Sequence, residues 1–138
     1  MAETSPLEEA VARVGDRWSL LLVEALMGGP RRFGELQEEV GGIASNVLSD
    51  RLKRLEREAV ISSQSYSERP PRYAYELTAS GRELASALRL LADWGARRSP
   101  EAEAPRHSAC GTTLEVRWYC PTCEVPVPDD EADDLQFA

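Results

Sequence analysis

Between residues 45 and 58 the chain reads Ser-Asn-Val-Leu-Ser-Asp-Arg-Leu-Lys-Arg-Leu-Glu-Arg-Glu, with leucines at 48, 52 and 55. Spacings of four and three stack side chains on one side of an α-helix and fit no strand. At about 100° per residue, Asn46, Asp50, Lys53, Arg54 and Arg57 fall on the opposite side, with Ser49 at its edge. Ser45 stands where a helix N-cap would, ready to accept from a backbone N–H of the first turn. One face is therefore core. The other carries amide, hydroxyl and cationic groups, the types that reach base edges and phosphates. Arg51 lies nearer the apolar face, which suits helix packing or a phosphate clamp. Any solvated helix would also show charges opposite leucines, so the neighbouring segments have to decide.

They favour a nucleic-acid reader. A short helix over Phe33 to Glu39 and a tight turn at Gly41-Gly42-Ile43 precede the leucine helix. Two extended runs follow, Val60 to Tyr66 and Arg72 to Leu77, separated by Pro70-Pro71. In the second run Tyr73, Tyr75 and Leu77 alternate with polar or small residues, the period of a half-buried strand. This order is a helix-turn-helix followed by a β-hairpin wing, a layout that lays its second helix in the major groove. Arg69 and Arg72 bracket the wing tip and suit the backbone or minor groove. The candidate DNA-binding residues are Arg32, Ser45, Asn46, Ser49, Asp50, Arg51, Lys53, Arg54, Arg69 and Arg72. Asn46, Ser49, Lys53 and Arg54 are expected to read or position the major groove, and Arg32 to hold a phosphate. Asp50 is able to accept from cytosine but repels phosphate.

The flanking segments are helical. Ser5-Pro6-Leu7-Glu8 carries a capping box and a proline at the first helical position. Leu7, Ala10, Val11 and Val14 then form an apolar stripe. Asp16 caps a second helix through Met27, with Trp18, Leu21, Leu22, Ala25 and Leu26 as its expected buried face and Gly28-Gly29-Pro30 as its stop. Trp18 reads as packing rather than as a ligand contact. Thr78 caps a long helix to about Arg97, on which Leu84, Leu88, Leu91, Ala92 and Trp94 make a stripe larger than one small core needs. Ordinary packing against the winged domain is the competing explanation for that stripe.

Arg31-Arg32-Phe33-Gly34-Glu35-Leu36, then Val47-Leu48-Ser49-Asp50-Arg51-Leu52-Lys53-Arg54-Leu55-Glu56, then Pro70-Pro71-Arg72-Tyr73-Ala74-Tyr75-Glu76-Leu77-Thr78 resemble the HxlR-type winged helix-turn-helix regulators. The resemblance extends back to Gly15-Asp16-Arg17-Trp18 and forward to Asp93-Trp94, covering about residues 7–95. It implies a bacterial or archaeal transcriptional regulator that binds DNA as a homodimer. It also implies an interface on the first and last helices, built from Leu7, Val11, Leu84, Leu88, Leu91 and Trp94. Many members carry a cysteine just before the first proline, and in some it senses oxidants; Ser5 stands there in this chain. Ala59 replaces a frequent glycine, so the recognition helix is expected to run slightly longer.

The net charge of −8 is unusual for a DNA binder. Its distribution matters more: residues 31–82 hold nine basic and eight acidic residues, whereas residues 106–138 hold two basic and seven acidic. Modest non-specific affinity and reliance on specific contacts follow. Fifteen of the sixteen basic residues are arginine, which favours bidentate contacts. The start, Met1-Ala2-Glu3-Thr4, lacks the basic and apolar regions of a signal peptide, and no apolar run is long enough to span a membrane. The expected location is the cytoplasm.

The domain reading is a winged helix-turn-helix and dimerisation domain over 1–97, a proline-bounded linker over 98–105, a zinc-ribbon-like module over 106–128 and an acidic tail over 129–138. The fold class is mainly α with a small β-hairpin wing, plus that small module. All three cysteines and the only histidine lie between 107 and 123. His107-Ser108-Ala109-Cys110-Gly111 and Cys120-Pro121-Thr122-Cys123 are knuckle-like turns, each offering two ligands. Together they make a Cys3His set, the closed arrangement of structural zinc, one ion per chain. Glycine after Cys110 relaxes the backbone there; Glu124 occupies the matching place in the second turn. Free thiols would leave the position of the lone histidine unexplained. A disulfide would leave an odd cysteine, and a thioredoxin-type pair would need a βαβ context. Asp129 to Asp134 reads as a solvating tail.

The leading expectation is a dimeric, sequence-specific regulator of a palindromic operator, a repressor by promoter occlusion, and no enzyme. One rival is a winged-helix adaptor that binds protein rather than DNA, favoured by net charge and Asp50. Another is a regulator in which zinc loss or oxidation of Cys120 and Cys123 releases DNA. A small-molecule effector is compatible with each, but no residue set identifies one.

Overall fold

The computed structural model describes residues 4–128; the acidic-tail expectation lies outside them. The chain divides into two compact units, residues 1–88 and 89–138.

The first unit begins with α1 (Pro6–Val14), whose start is a reciprocal capping box. Glu8 N donates to Ser5 Oγ at 3.1 Å, and Ser5 N donates to Glu8 Oε2 at 2.7 Å. α2 (Arg17–Leu26) is capped by Asp16, which accepts from Ser19 N at 3.0 Å and from Ser19 Oγ at 2.6 Å. A two-residue strand β1 (Arg31–Arg32) leads into α3 (Phe33–Glu39), then α4 (Ser45–Arg57), β2 (Ile61–Glu68) and β3 (Pro71–Leu77). The strands form an antiparallel sheet in the order β1-β3-β2. The third strand was not legible in the sequence, because two residues are too few to show alternation. α5 (Ala79–Ala96) follows, and its residues fall in both units.

Leu22, Val23, Leu36, Leu48, Leu52 and Leu55 are among the most deeply buried side chains, so α2, α3 and α4 meet on one core. Val60, Ile61 and Leu77 close it from the wing. Trp18 packs against this core, partly buried. Leu21 is exposed rather than buried; Val23 takes its place. α2 is enclosed across a wide arc, and Leu21 lies just outside it.

Three local expectations need correction. The N-cap of α4 is Ala44, with no side-chain cap, and Ser45 is the first helical residue. The Ser45 hydroxyl instead accepts from Gln37 Nε2 at 2.8 Å, tying α4 to α3. The recognition helix does not lengthen at Ala59. It stops at Arg57, and Ala59 itself adopts the left-handed conformation (φ 56°) that a glycine would take. Val60 N then donates to Leu55 O and Ala59 N to Glu56 O, both at 3.0 Å, which is a Schellman closure. Finally, Pro71 belongs to β3, opposite Glu68, so the wing turn consists of Arg69 and Pro70, joined by a cis peptide bond.

Thr78 caps α5. Its hydroxyl accepts from Gly81 N at 3.1 Å and donates to Ala59 O at 2.6 Å. Gly81 is buried, and a Cβ there would run into the Val60 carbonyl. Among the described residues no helix is long and apolar enough to cross a membrane.

In the second unit β4 (Trp118–Cys120) pairs antiparallel with β5 (Val125–Val127), and an isolated bridge joins Arg106 and Thr113.

A candidate nucleic-acid interface and a two-turn cysteine module

α4 presents a polar stripe to solvent. Asn46, Asp50, Lys53 and Arg57 are all exposed, at spacings of four, three and four, opposite buried Leu48, Leu52 and Leu55. Ser49 is half-buried at its margin. Among the described residues Lys53 and Arg57 make no ion pair, which leaves their charge for phosphate or base edges. Helical phase also puts Arg57 on this face, and its exposure adds it to the candidate contacts.

Arg54 behaves differently. Its guanidinium donates to Ala12 O at 2.6 Å and lies 3.4 Å from Asp16 Oδ2. The helical wheel put Arg54 on the outer side, but its long stem carries the charge back onto the α1–α2 junction. Arg51 turns the same way: its Nε donates to Asp16 Oδ1 at 3.1 Å and its Nη1 to Asp50 Oδ2 at 2.6 Å. Asp16 thus receives two guanidiniums and the Ser19 hydroxyl and amide. Burial raises its pKa, but the Ser19 hydrogen bonds and Arg51 outweigh burial, so its carboxyl sits below the ordinary aspartate value.

The wing supplies the second set. Arg69 and Arg72 are exposed at and beside the tip, with no carboxylate partner among the described residues. A register shift between Ser65 and Ser67 leaves Tyr66 unpaired in the ladder. The Arg32 guanidinium stacks over that ring at 4.4 Å. Arg32, opposite Ala74, is therefore held against the middle of the wing, at the start of α3.

The residues expected at a dimer interface separate into two groups. Leu84 and Leu88 are partly buried against the core of their own domain. Leu7 (73%), Val11 (53%), Leu91 (52%) and Trp94 (52%) are exposed. Arg98 stacks over Trp94 at 3.7 Å and donates to its carbonyl at 3.1 Å.

In the second unit, the two cysteine-bearing turns are built alike. Gly111 N donates to His107 O at 2.7 Å, and Glu124 N donates to Cys120 O at 2.8 Å. The residue after the second ligand is left-handed in both, Gly111 at φ 72° and Glu124 at φ 57°. Glutamate tolerates that conformation poorly, so the turn holds it there. Each turn sits at the end of a paired segment, Arg106 with Thr113 and Cys120 with Val125. Within the first, His107 Nδ1 lies 3.3 Å from Cys110 Sγ. Within the second, Cys123 N donates to Cys120 Sγ at 3.5 Å. Hydrogen bonds with the Thr112 side chain and backbone, and with His107, lower the Cys110 thiol pKa to about 7. Among the described residues no three His, Cys, Asp or Glu side chains gather closely enough to hold an ion. The pairs form, but the four side chains do not converge.

Comparison with known proteins agrees with this architecture. Residues 13–103 match the HxlR-like helix-turn-helix family. An HTH-type transcriptional regulator of Mycobacterium tuberculosis is 36% identical over 125 residues, 88% of this chain and 78% of that protein. The HTH-type regulator YtfH of Escherichia coli is 33% identical over 105 residues, 76% of this chain and 83% of that protein. Among solved structures, the reduced form of the transcriptional regulator YodB from Bacillus subtilis superposes with a TM-score of 0.59 at 30% identity, covering 73% of this chain and all of that one. These relatives are transcriptional regulators rather than enzymes. The chain belongs to the HxlR-like helix-turn-helix family, and it is a winged-helix transcriptional regulator.

Proposed function

We propose that the protein acts in the cytoplasm as a homodimeric, sequence-specific regulator that represses by occupying a palindromic operator. The single observation that carries the DNA-facing part is the stripe Asn46–Asp50–Lys53–Arg57, exposed on a helix whose other face is core. Asn46 reads base edges, Lys53 positions the helix through a phosphate, Ser49 works from the margin, and Arg57 takes a second phosphate. Arg69 and Arg72 hold the flanking backbone, and Arg32 sits midway along the wing, over Tyr66. Ser45, Arg51 and Arg54 act indirectly, by fixing α4 against α3 and the α1–α2 junction. Two-fold symmetry would place two such helices one turn apart on the duplex. Leu7 and Val11 on α1, and separately Leu91 and Trp94 on α5, are exposed apolar side chains that a second copy would cover.

Selecting bound sequences from a random duplex pool tests this, and an inverted repeat should emerge. Lys53→Ala should then weaken binding to all sequences alike and flatten the slope of log affinity against log salt by about one. A parent protein that enriches no sequence at low salt would leave the adaptor reading standing.

For the second unit we propose a structural zinc ion on His107, Cys110, Cys120 and Cys123. Support comes from the shared construction of the two turns, including the left-handed residue after each pair, because unrelated thiol-bearing loops have no reason to match. Zinc at that set would cross-link two turns in a module too small for a substantial core. Metal analysis of the purified full chain should find one zinc per chain, and less in Cys120→Ser. A parent without zinc ends the proposal. If chelation abolishes DNA binding while the dimer persists, the ion or its thiols act as a sensor rather than a staple.

A further inference from the structure

We propose that Asp50 is the base-selecting residue of α4 and that its ligand is the exocyclic amino group of a cytosine in the major groove. This deepens the DNA-binding reading and rests on it. Asp50 is exposed in the middle of the outward stripe, flanked by Asn46 and Lys53. An ionised carboxylate only accepts hydrogen bonds. Facing it, guanine offers the acceptors N7 and O6 and thymine offers O4, all repulsive. Adenine and cytosine offer amino groups, but adenine's lies beside its N7 acceptor, whereas cytosine's lies beside a carbon. Among the bases, cytosine alone presents a donor without a neighbouring acceptor.

A bare aspartate in this position would be repelled by the phosphates. Here it is not bare. Arg51 Nη1 donates to Asp50 Oδ2 at 2.6 Å, and Arg51 Nε donates to Asp16 Oδ1 at 3.1 Å. Asp16 is itself fixed by Ser19 and approached by Arg54. The set contains two guanidiniums and two carboxylates, so its charges cancel. Successive helix residues ordinarily point about 100° apart and do not meet. The contact between Asp50 and Arg51 therefore leans the carboxylate to one side and fixes its direction. Oδ1 has no donor among the described residues and remains for a base. Arg51 is thus a positioning residue: its fork spans both aspartates, which a lysine could not do in the same way. A mere surface ion pair would use the same atoms and contribute little to recognition, so base preference is the property to measure.

The test is selection from a random duplex pool with the full-length parent, Asp50→Ala, Asp50→Asn and Arg51→Lys. The parent motif should contain a C·G pair at one fixed place in each half-site. Asp50→Ala should lose preference at that pair alone, roughly a five- to hundredfold drop in discrimination. It should also bind unrelated duplex more tightly, since the remaining two guanidiniums and one carboxylate carry a net positive charge. Asp50→Asn should shift the preference toward adenine, whose N6 and N7 match an amide. Arg51→Lys should blunt the C·G preference while sparing the other positions. An Asp50→Ala motif identical to the parent's overturns the inference and leaves the DNA-binding reading intact. A parent that selects nothing overturns both.

Discussion

Arg54 and Arg51 show why a side chain's helical phase does not settle its role. Both lie on or near the polar side of α4, yet both guanidiniums end on Asp16. Long cationic stems reach back across a helix when a partly buried carboxylate offers a better partner than water. Asp16 therefore contributes to stability as well as capping α2. Its folded-state pKa is depressed, so this contribution is complete above the ordinary value of 3.8 and is lost as pH falls from there through the lower folded value. Asp16→Asn preserves the cap but removes the charge. It should cost about 1–2 kcal/mol at neutral pH, and denaturant melts should show the gap to the parent closing below pH 4. A gap that is constant with pH would mean the charge contributes nothing. Ala59 offers a gain instead. With φ at 56° and its side chain exposed, Ala59→Gly should raise stability by about 0.5–1 kcal/mol in urea melts; a loss would show that the left-handed turn is not strained.

Elements meet closely where α5 leaves the wing. Thr78 links the end of β3 to the Ala59 carbonyl, and Gly81 lets the first turn of α5 sit against Val60. Helix α4, the strands and α5 are thus joined at one corner, and the pose of α4 against the wing depends on it. Gly81→Ala should destabilise the fold by about 1–3 kcal/mol, because the obstructing atom is backbone and cannot rotate away. Thermal unfolding compared with Gly34→Ala, where a Cβ meets nothing within 4 Å, separates this clash from the general effect of replacing glycine in a helix. Equal melting temperatures for the two variants would contradict it.

On the scale of the whole molecule, net charge and exposed apolar surface set how the regulator must work. At −8 it gains little from long-range attraction to DNA, so affinity has to come from fitted contacts. Leu91 and Trp94 are exposed on the second half of α5, a surface that a soluble monomer rarely leaves open. On the proposed dimer, Leu91→Glu should give a monomer by sedimentation and weaken DNA binding at least about tenfold, since half-sites would then be bound singly. A Leu91→Glu protein that stays dimeric moves the interface elsewhere.

Hydrophobic periodicity settled much of the fold in advance. The leucine spacing of α4, the capping signals at Ser5, Asp16 and Thr78, and the alternation at Tyr73 to Leu77 are local properties, and local physics suffices to read them. The outward stripe of α4 follows from the same periodicity. Tertiary structure decided what no window of sequence contains: the β1 strand, the inward turn of Arg51 and Arg54, the role of Ser45 as a tie to Gln37, and the left-handed Ala59. Each depends on a partner distant in the chain or on a backbone angle imposed by the packing around it. Periodicity tells which face of a helix is wet, but only the folded chain determines which charges on that face have already found a partner.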